Sequence, residues 1–137
     1  MSKEKDLQLA RQYFEEGKAL DKQAKYEEAV KVYEQASVLY EKWELWEEWV
    51  RVNNWIGWIC KLLGAYEKGI ELLQQVLEKG RGYLGEHHHV VAGSFYNLGV
   101  CYSSKWDYDL AINYFQNALD IYKKSLGQEH PDVMAFS

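Results

Sequence analysis

Side chains able to bind a ligand or react are few and grouped. Glu86, His87, His88 and His89 form an unbroken run of one carboxylate and three imidazoles, donor types that hold zinc or nickel. Consecutive residues on a helix or loop point in different directions, and no partner set follows an H-E-x-x-H or Cys/His spacing. The run is therefore read as a solvated loop in which His88 helps begin a helix, open to adventitious nickel or zinc. No native metal and no other cofactor is expected. Cys60 and Cys101 lack a CxxC or Cys/His pattern and read as buried, reduced thiols. The pairs Glu15-Glu16, Glu27-Glu28 and Glu47-Glu48 have a lysine or arginine (Lys18, Lys31, Arg51) at nearby helical spacing, so they belong to solvated helix faces and not to an acid-base centre. The chain holds no Gly-rich phosphate loop, no G-x-S-x-G and no unexplained serine, histidine and acid set. It reads as a protein that is not an enzyme.

Tryptophan is the most unusual residue, with six in all and five of them between 43 and 58. Helical projection divides that cluster. Trp49 falls on a core side with Leu45, Val52, Ile56 and Leu63, whereas Trp55 and Trp58 fall with Arg51 and Leu62 on another face. Packing accounts for Trp43, Trp46 and Trp49. For Trp55 and Trp58 two readings stand: packing between neighbouring helices, which the large area a tryptophan buries favours, and anchoring of a ligand.

The elements that must position these residues follow from an internal period. Gly17, Tyr26, Ala29, Tyr33 and Ala36 recur as Gly57, Tyr66, Gly69, Leu73 and Val76, then as Gly99, Tyr108, Ala111, Phe115 and Ala118, and every member keeps the step that its glycine sets. Apolar residues recur at three- and four-residue steps nearly throughout and only one proline is present, so every segment reads as helix. The spacing predicts helices at about 5–22, 26–42, 45–63, 66–82, 90–104 and 107–125, with a seventh beginning at Pro131. Asp107 is placed to cap the sixth. Within each pair, Gly57 and Gly99 on first helices mark a close helix approach, Ala29, Gly69, Ala111 and Ala36, Val76, Ala118 give matching low ground on the second helices, and Tyr33, Leu73 and Phe115 fill the space beside them, small against large at the crossing. Leu84-Gly85-Glu86-His87-His88 aligns with Leu126-Gly127-Gln128-Glu129-His130, so a fourth unit is expected to begin near the end of the chain. A unit of this size cannot bury its apolar face alone and must stack on copies of itself.

Composition narrows the function. The chain has 137 residues, 47% of them hydrophobic and 27% charged, the balance of one soluble globular domain. A formal net charge of −5 with no basic run argues against nucleic acid as the ligand. The longest apolar stretch, Trp55 to Cys60, has six residues, too few to span a bilayer. Met1 to Asp6 alternates charge without an apolar core after it, so no secretory signal is read and a cytoplasmic setting is expected.

The third unit, Phe95-Tyr96-Asn97-Leu98-Gly99-Val100-Cys101-Tyr102 followed by Tyr108, Ala111, Phe115 and Ala118, resembles a tetratricopeptide repeat (TPR). The long step from Gly57 to Gly99 and the join Leu126 to Asp132 resemble the longer repeats of kinesin light chains and related bacterial arrays. The resemblance implies an all-α fold, a right-handed superhelical array of antiparallel helix pairs (a TPR-like α-solenoid) of about six to seven helices. It implies one domain over 1–137, with repeats at about 10–44, 50–84 and 92–126 and the start of a fourth at 127–137. It also implies a concave groove that binds a peptide or helix of a partner protein, the chain being part of a larger protein. Family groove positions fall on Arg11, Lys18 and Lys22, on Arg51, Asn54, Trp55, Trp58 and Lys61, and on Tyr96, Asn97, Val100 and Ser103. Cations and aromatics there suit an acidic or aromatic-containing peptide. The carboxylate clamp of chaperone-binding relatives maps onto Phe14, Lys18, Trp55, Gly93 and Asn97, of which only Lys18 and Asn97 have suitable chemistry, so that mode is set aside. Two alternatives remain: a self-association module forming a homodimer, and a regulatory repeat domain joined to a separate effector enzyme.

Overall fold

A computed structural model describes residues 2–126 as six helices: α1 Lys3–Lys22, α2 Tyr26–Lys42, α3 Trp46–Leu62, α4 Tyr66–Leu84, α5 His89–Ser104 and α6 Tyr108–Leu126. The expected seventh helix and the fourth repeat lie outside the described residues. Every helix starts and stops within two residues of its expected bounds. α1 begins earlier because Ser2 caps it, its hydroxyl accepting from the Lys5 amide at 3.3 Å. Asp107 does cap α6, accepting from the Leu110 amide at 3.4 Å.

The three tight turns within pairs are built alike. Ala24, Gly64 and Trp106 sit at φ of 59°, 76° and 69°, each just after a helix end. In the first, the Lys25 amide donates to the Leu20 carbonyl and the Ala24 amide to Asp21; the same two bonds recur as Ala65 to Cys60 with Gly64 to Lys61, and as Asp107 to Tyr102 with Trp106 to Ser103. This is the left-handed helix stop that satisfies two terminal carbonyls. The same stop also closes the α2–α3 join at Glu44, φ 54°, and of the three turns within pairs only one carries the glycine that the backbone favours.

Within each pair the crossing interlocks as the small-against-large pattern predicts. A Cβ placed on Gly57 would sit 2.6 Å from Leu73 Cδ2, and one on Gly99 2.7 Å from Phe115 Cε1; Gly17 meets the Tyr33 ring in the same way. These are helix approaches that no side chain fits. Ala29, Tyr33, Trp49, Val52, Ile56 and Ile59 bury one part of the core, and Leu73, Val91, Phe95, Leu98, Ala118 and Ile121 the other. Leu63, expected on the core side, is instead 45% exposed, because α3 ends at Leu62 and Leu63 is already the cap of the turn. Tyr33 fills its site completely, yet its hydroxyl is buried with no hydrogen-bond partner among the described residues.

Stacking between pairs is uneven. α3 lies against α5, while α1 and α3 make no comparable contact. At the α3–α5 seam, Ser94 Oγ donates to Asn54 Oδ1 at 2.6 Å, Asn54 Nδ2 donates to the Val90 carbonyl at 3.0 Å, and Asn97 Nδ2 donates to the Asn54 carbonyl at 2.8 Å. Gly93 leaves the room for this clasp, since a Cβ there would lie 2.9 Å from Asn54 Nδ2. One repeat earlier the positions of Asn54 and Ser94 are occupied by Phe14 and Val52, so α1 and α3 have no such clasp. The N-terminus of α1 is tied down elsewhere, where Asp6 accepts from Lys42 Nζ at 2.7 Å and from Trp43 Nε1 at 2.9 Å.

Candidate functional site

The first turns of α3 and α5 lie side by side, and between them opens a cleft of about 450 Å³ lined by Arg51, Asn54, Trp55, Trp58, His89, Val90, Gly93, Asn97 and Tyr122. Five residues named from sequence therefore meet: Arg51, Asn54, Trp55, Trp58 and Asn97. Each owes its place to the α3 or α5 face turned away from the second helices. Lys61 stands over the Trp58 ring, 5.1 Å from its centroid, and reaches the cleft only through it.

Arg11, Lys18 and Tyr96 are not among the lining residues. Arg11 is exposed on α1. Lys18 is engaged on its own helix, 3.0 Å from Glu15 and 4.8 Å from the Phe14 ring. Tyr96 lies against Phe115, with ring centroids 5.5 Å apart. The expected convergence of several cations thus reduces at the cleft to Arg51, whose guanidinium is 3.7 Å from Glu47, together with the imidazole of His89. Partial desolvation first, and then the neighbouring His88, hold the His89 pKa below the usual imidazole value.

The lining residues differ in what they can offer. The amides of Asn54 and Asn97 are committed to the α3–α5 seam, leaving Asn97 9% exposed. The Trp55 ring stacks on buried Tyr33 at 6.4 Å and so is part of the packing between repeats as well as cleft wall. Trp58 is half-buried with Lys61 over its ring, and it and Arg51 are the side chains most available to a ligand. Sequence reasoning missed His89, Val90, Gly93 and Tyr122. Gly93 had surfaced only as a poor match to a carboxylate clamp. Tyr122 projects from the last turns of a second helix, at the position held by Tyr40 and Gly80 in the earlier units, and groove positions drawn from first helices do not reach it.

His88 behaves as its position in the join suggested: it is the α5 N-cap, with Nδ1 accepting from the Val90 amide at 3.2 Å. The histidines do not all diverge as consecutive residues were expected to. The His88 and His89 rings stack at 4.6 Å, and His88 Nε2 lies 3.0 Å from Glu47 Oε1 on the neighbouring helix. His87 alone turns away, to within 3.2 Å of Lys124 Nζ. Cys60 and Cys101 are buried free thiols whose pKa burial raises, that of Cys101 to about 11, which disfavours the thiolate.

A tetratricopeptide repeat sequence profile matches residues 50–124, and a second matches 17–42. The chain belongs to the tetratricopeptide repeat family. Its fold is similar to the crystal structure of BtubC (BKLC) from P. vanneervenii, with a TM-score of 0.60 and 16% identity over 99% of this chain. The chain spans about 63% of the length of that structure. No curated protein matches it in sequence. The architecture is accordingly a TPR-like α-solenoid, and the spacing of Gly17, Gly57 and Gly99 is that of the longer, kinesin-light-chain-like repeats that it resembles. TPR arrays generally mediate protein-protein interaction or scaffolding and are typically not enzymes. No helix among the described residues is long and apolar enough to cross a membrane.

Proposed function

We propose that this TPR domain binds a peptide segment of a partner protein in the α3–α5 cleft, with Trp58 and Arg51 as the principal contacts. The observation that carries this reading is the cleft itself: a concavity of about 450 Å³ with two tryptophans, one guanidinium and an imidazole at its walls. A pocketed aromatic beside a cation is the pattern of an interaction hot spot. An aromatic or aliphatic side chain would enter beside Trp58, and a carboxylate on the same segment would meet Arg51 by displacing Glu47, whose 3.7 Å pairing is long. An acidic or aromatic-containing peptide fits that chemistry.

The test uses phage-displayed random peptides selected on the wild-type chain, followed by titration of the enriched peptides. Trp58→Ala should weaken binding roughly 30-fold or more, and Arg51→Gln should weaken acidic peptides more than neutral ones, both with unchanged circular dichroism. No enrichment, or enriched peptides that bind both variants as tightly as wild type, overturns the reading. Trp55→Ala is the poorer probe, because it also removes the ring stacked on Tyr33.

Self-association is the second reading, and one observation favours it. Ile112 occupies in α6 the position that Ile70 occupies in α4, yet Ile70 is 5% exposed and Ile112 52%; Trp106, 78% exposed, lies at the same end. A homodimer would cover this face, and light scattering over a concentration series decides it. A mass that stays monomeric until peptide is added supports the cleft reading.

A further inference from the structure

We propose that Glu47, His88 and His89 form a binding site for a divalent first-row transition metal, with zinc as the ion of first choice. The three residues each present a ligand atom, and these atoms all lie within 4.8 Å of one another. They come from two elements. Glu47 stands in the first turn of α3, His88 caps α5, and His89 opens it. The α3–α5 seam that Asn54, Ser94 and Asn97 hold together brings these two helix starts side by side.

The donor set decides the ion. Two imidazoles and one carboxylate are the ligands of zinc and its neighbours, whereas magnesium and calcium take oxygen ligands almost alone. Zinc about 2.1 Å from each ligand in tetrahedral geometry holds its donors roughly 3.4 Å apart. His88 Nε2 and Glu47 Oε1 are already 3.0 Å apart. Only His89 has to close on them, and it is exposed and stacked on His88 with 21° between the rings. Three protein ligands leave the fourth position to water. Arg51, 3.7 Å from the other Glu47 oxygen, orients the carboxylate while adding a positive charge that weakens the site.

The exchange on binding balances as follows. Without metal, His88 Nδ1 accepts from the Val90 amide and Nε2 carries the proton donated to Glu47. Zinc takes the Nε2 lone pair, so the ring proton moves to Nδ1 and the Val90 amide gives up its acceptor. Losing such a cap costs about a fivefold factor in affinity. No bond other than metal coordination forms, and no electron moves.

His87 supplies the internal control. A run of three histidines can chelate zinc by itself, but that mode has no use for Glu47 and draws on His87, which points toward Lys124. Isothermal titration of the full, tag-free chain with zinc chloride should give one ion per chain, with cobalt(II) giving the visible absorption of a four-coordinate site. Glu47→Gln and His89→Ala should each weaken zinc at least tenfold, and His87→Ala should change it less than twofold. Circular dichroism of Glu47→Gln checks the fold, which this half-exposed, polar-for-polar change preserves. Zinc binding that is as tight in Glu47→Gln as in wild type, or that His87→Ala abolishes, identifies adventitious chelation and overturns the proposal, as does wild-type binding weaker than millimolar.

Discussion

At the scale of single residues, three positions carry a stability cost or gain that follows from their surroundings. The Tyr33 hydroxyl is buried without a partner among the described residues, and burial raises its pKa. The equivalent positions hold Leu73 and Phe115, so Tyr33→Phe should stabilise the chain by about 1 kcal/mol in urea unfolding. Ala24 sits in the left-handed region at φ 59°, where a Cβ costs energy and glycine does not; Ala24→Gly should add about 0.5 to 1 kcal/mol, read from the same transition. Asp6 is 2% exposed by area, and the hydrogen bond from Lys42, then that from Trp43, hold its carboxyl below the usual carboxylate range. A carboxyl with a depressed folded-state pKa contributes stability fully above its unfolded value, near 4, and loses that contribution as pH falls through the folded value. Asp6→Asn should therefore lower the thermal midpoint at pH 7 and leave it nearly equal to wild type in acid below that window, a crossover that a pH series of melts checks. The Tyr33 and Asp6 effects are not legible in the sequence, because each depends on what a distant part of the chain lays beside the side chain. Ala24 does leave a signal, since Gly64 stands at the equivalent position of the next unit.

At the scale of elements, the crossing glycines separate close approach from mere tolerance. Gly57 faces Leu73 at a distance no Cβ fits, whereas Gly82, also inside a helix, has nothing within 4 Å. Gly57→Ala should destabilise by about 2 kcal/mol as α4 is pushed off α3, and Gly82→Ala should stabilise by about 0.5 to 1 kcal/mol through helix propensity. Chemical denaturation of the two variants side by side checks both signs. The helices themselves were readable to within two residues, since each is set by its own apolar period and by turn residues adjacent in sequence. The periodic position also found Gly57, but the contrast with Gly82 rests only on what faces each glycine. Among cleft residues, the faces of α3 and α5 were readable from projection, which is how Arg51, Trp55 and Trp58 were found; the commitment of Asn54 and Asn97 to the seam was not, because it requires Ser94 and Val90 to arrive from the next repeat.

At the scale of the whole molecule, the array is unevenly coupled. α1 rests on α2 and is anchored by Asp6 and by the Gly17 crossing, whereas α5 is held by α3, α4 and α6 together. In a stack whose units meet only neighbours, the terminal element opens first. Native-state hydrogen exchange should find the α1 amides least protected and those of α5 most; equal protection would mean that the domain opens only as one unit. The sequence by itself determined the all-α architecture, the number of helix pairs described and the faces they turn inward, because a helix-pair period with small and large residues in register permits one mode of stacking. Only the tertiary structure decided which side chains meet on that stack. It committed two groove asparagines to joining α3 to α5, kept Arg11 and Lys18 away from the cleft, and carried Glu47 to His88 and His89 of the next repeat. The physical reason is that helix formation and stacking are dictated by local, repeated patterns, while a site is made by side chains whose proximity depends on helix packing and rotamers that no local pattern encodes.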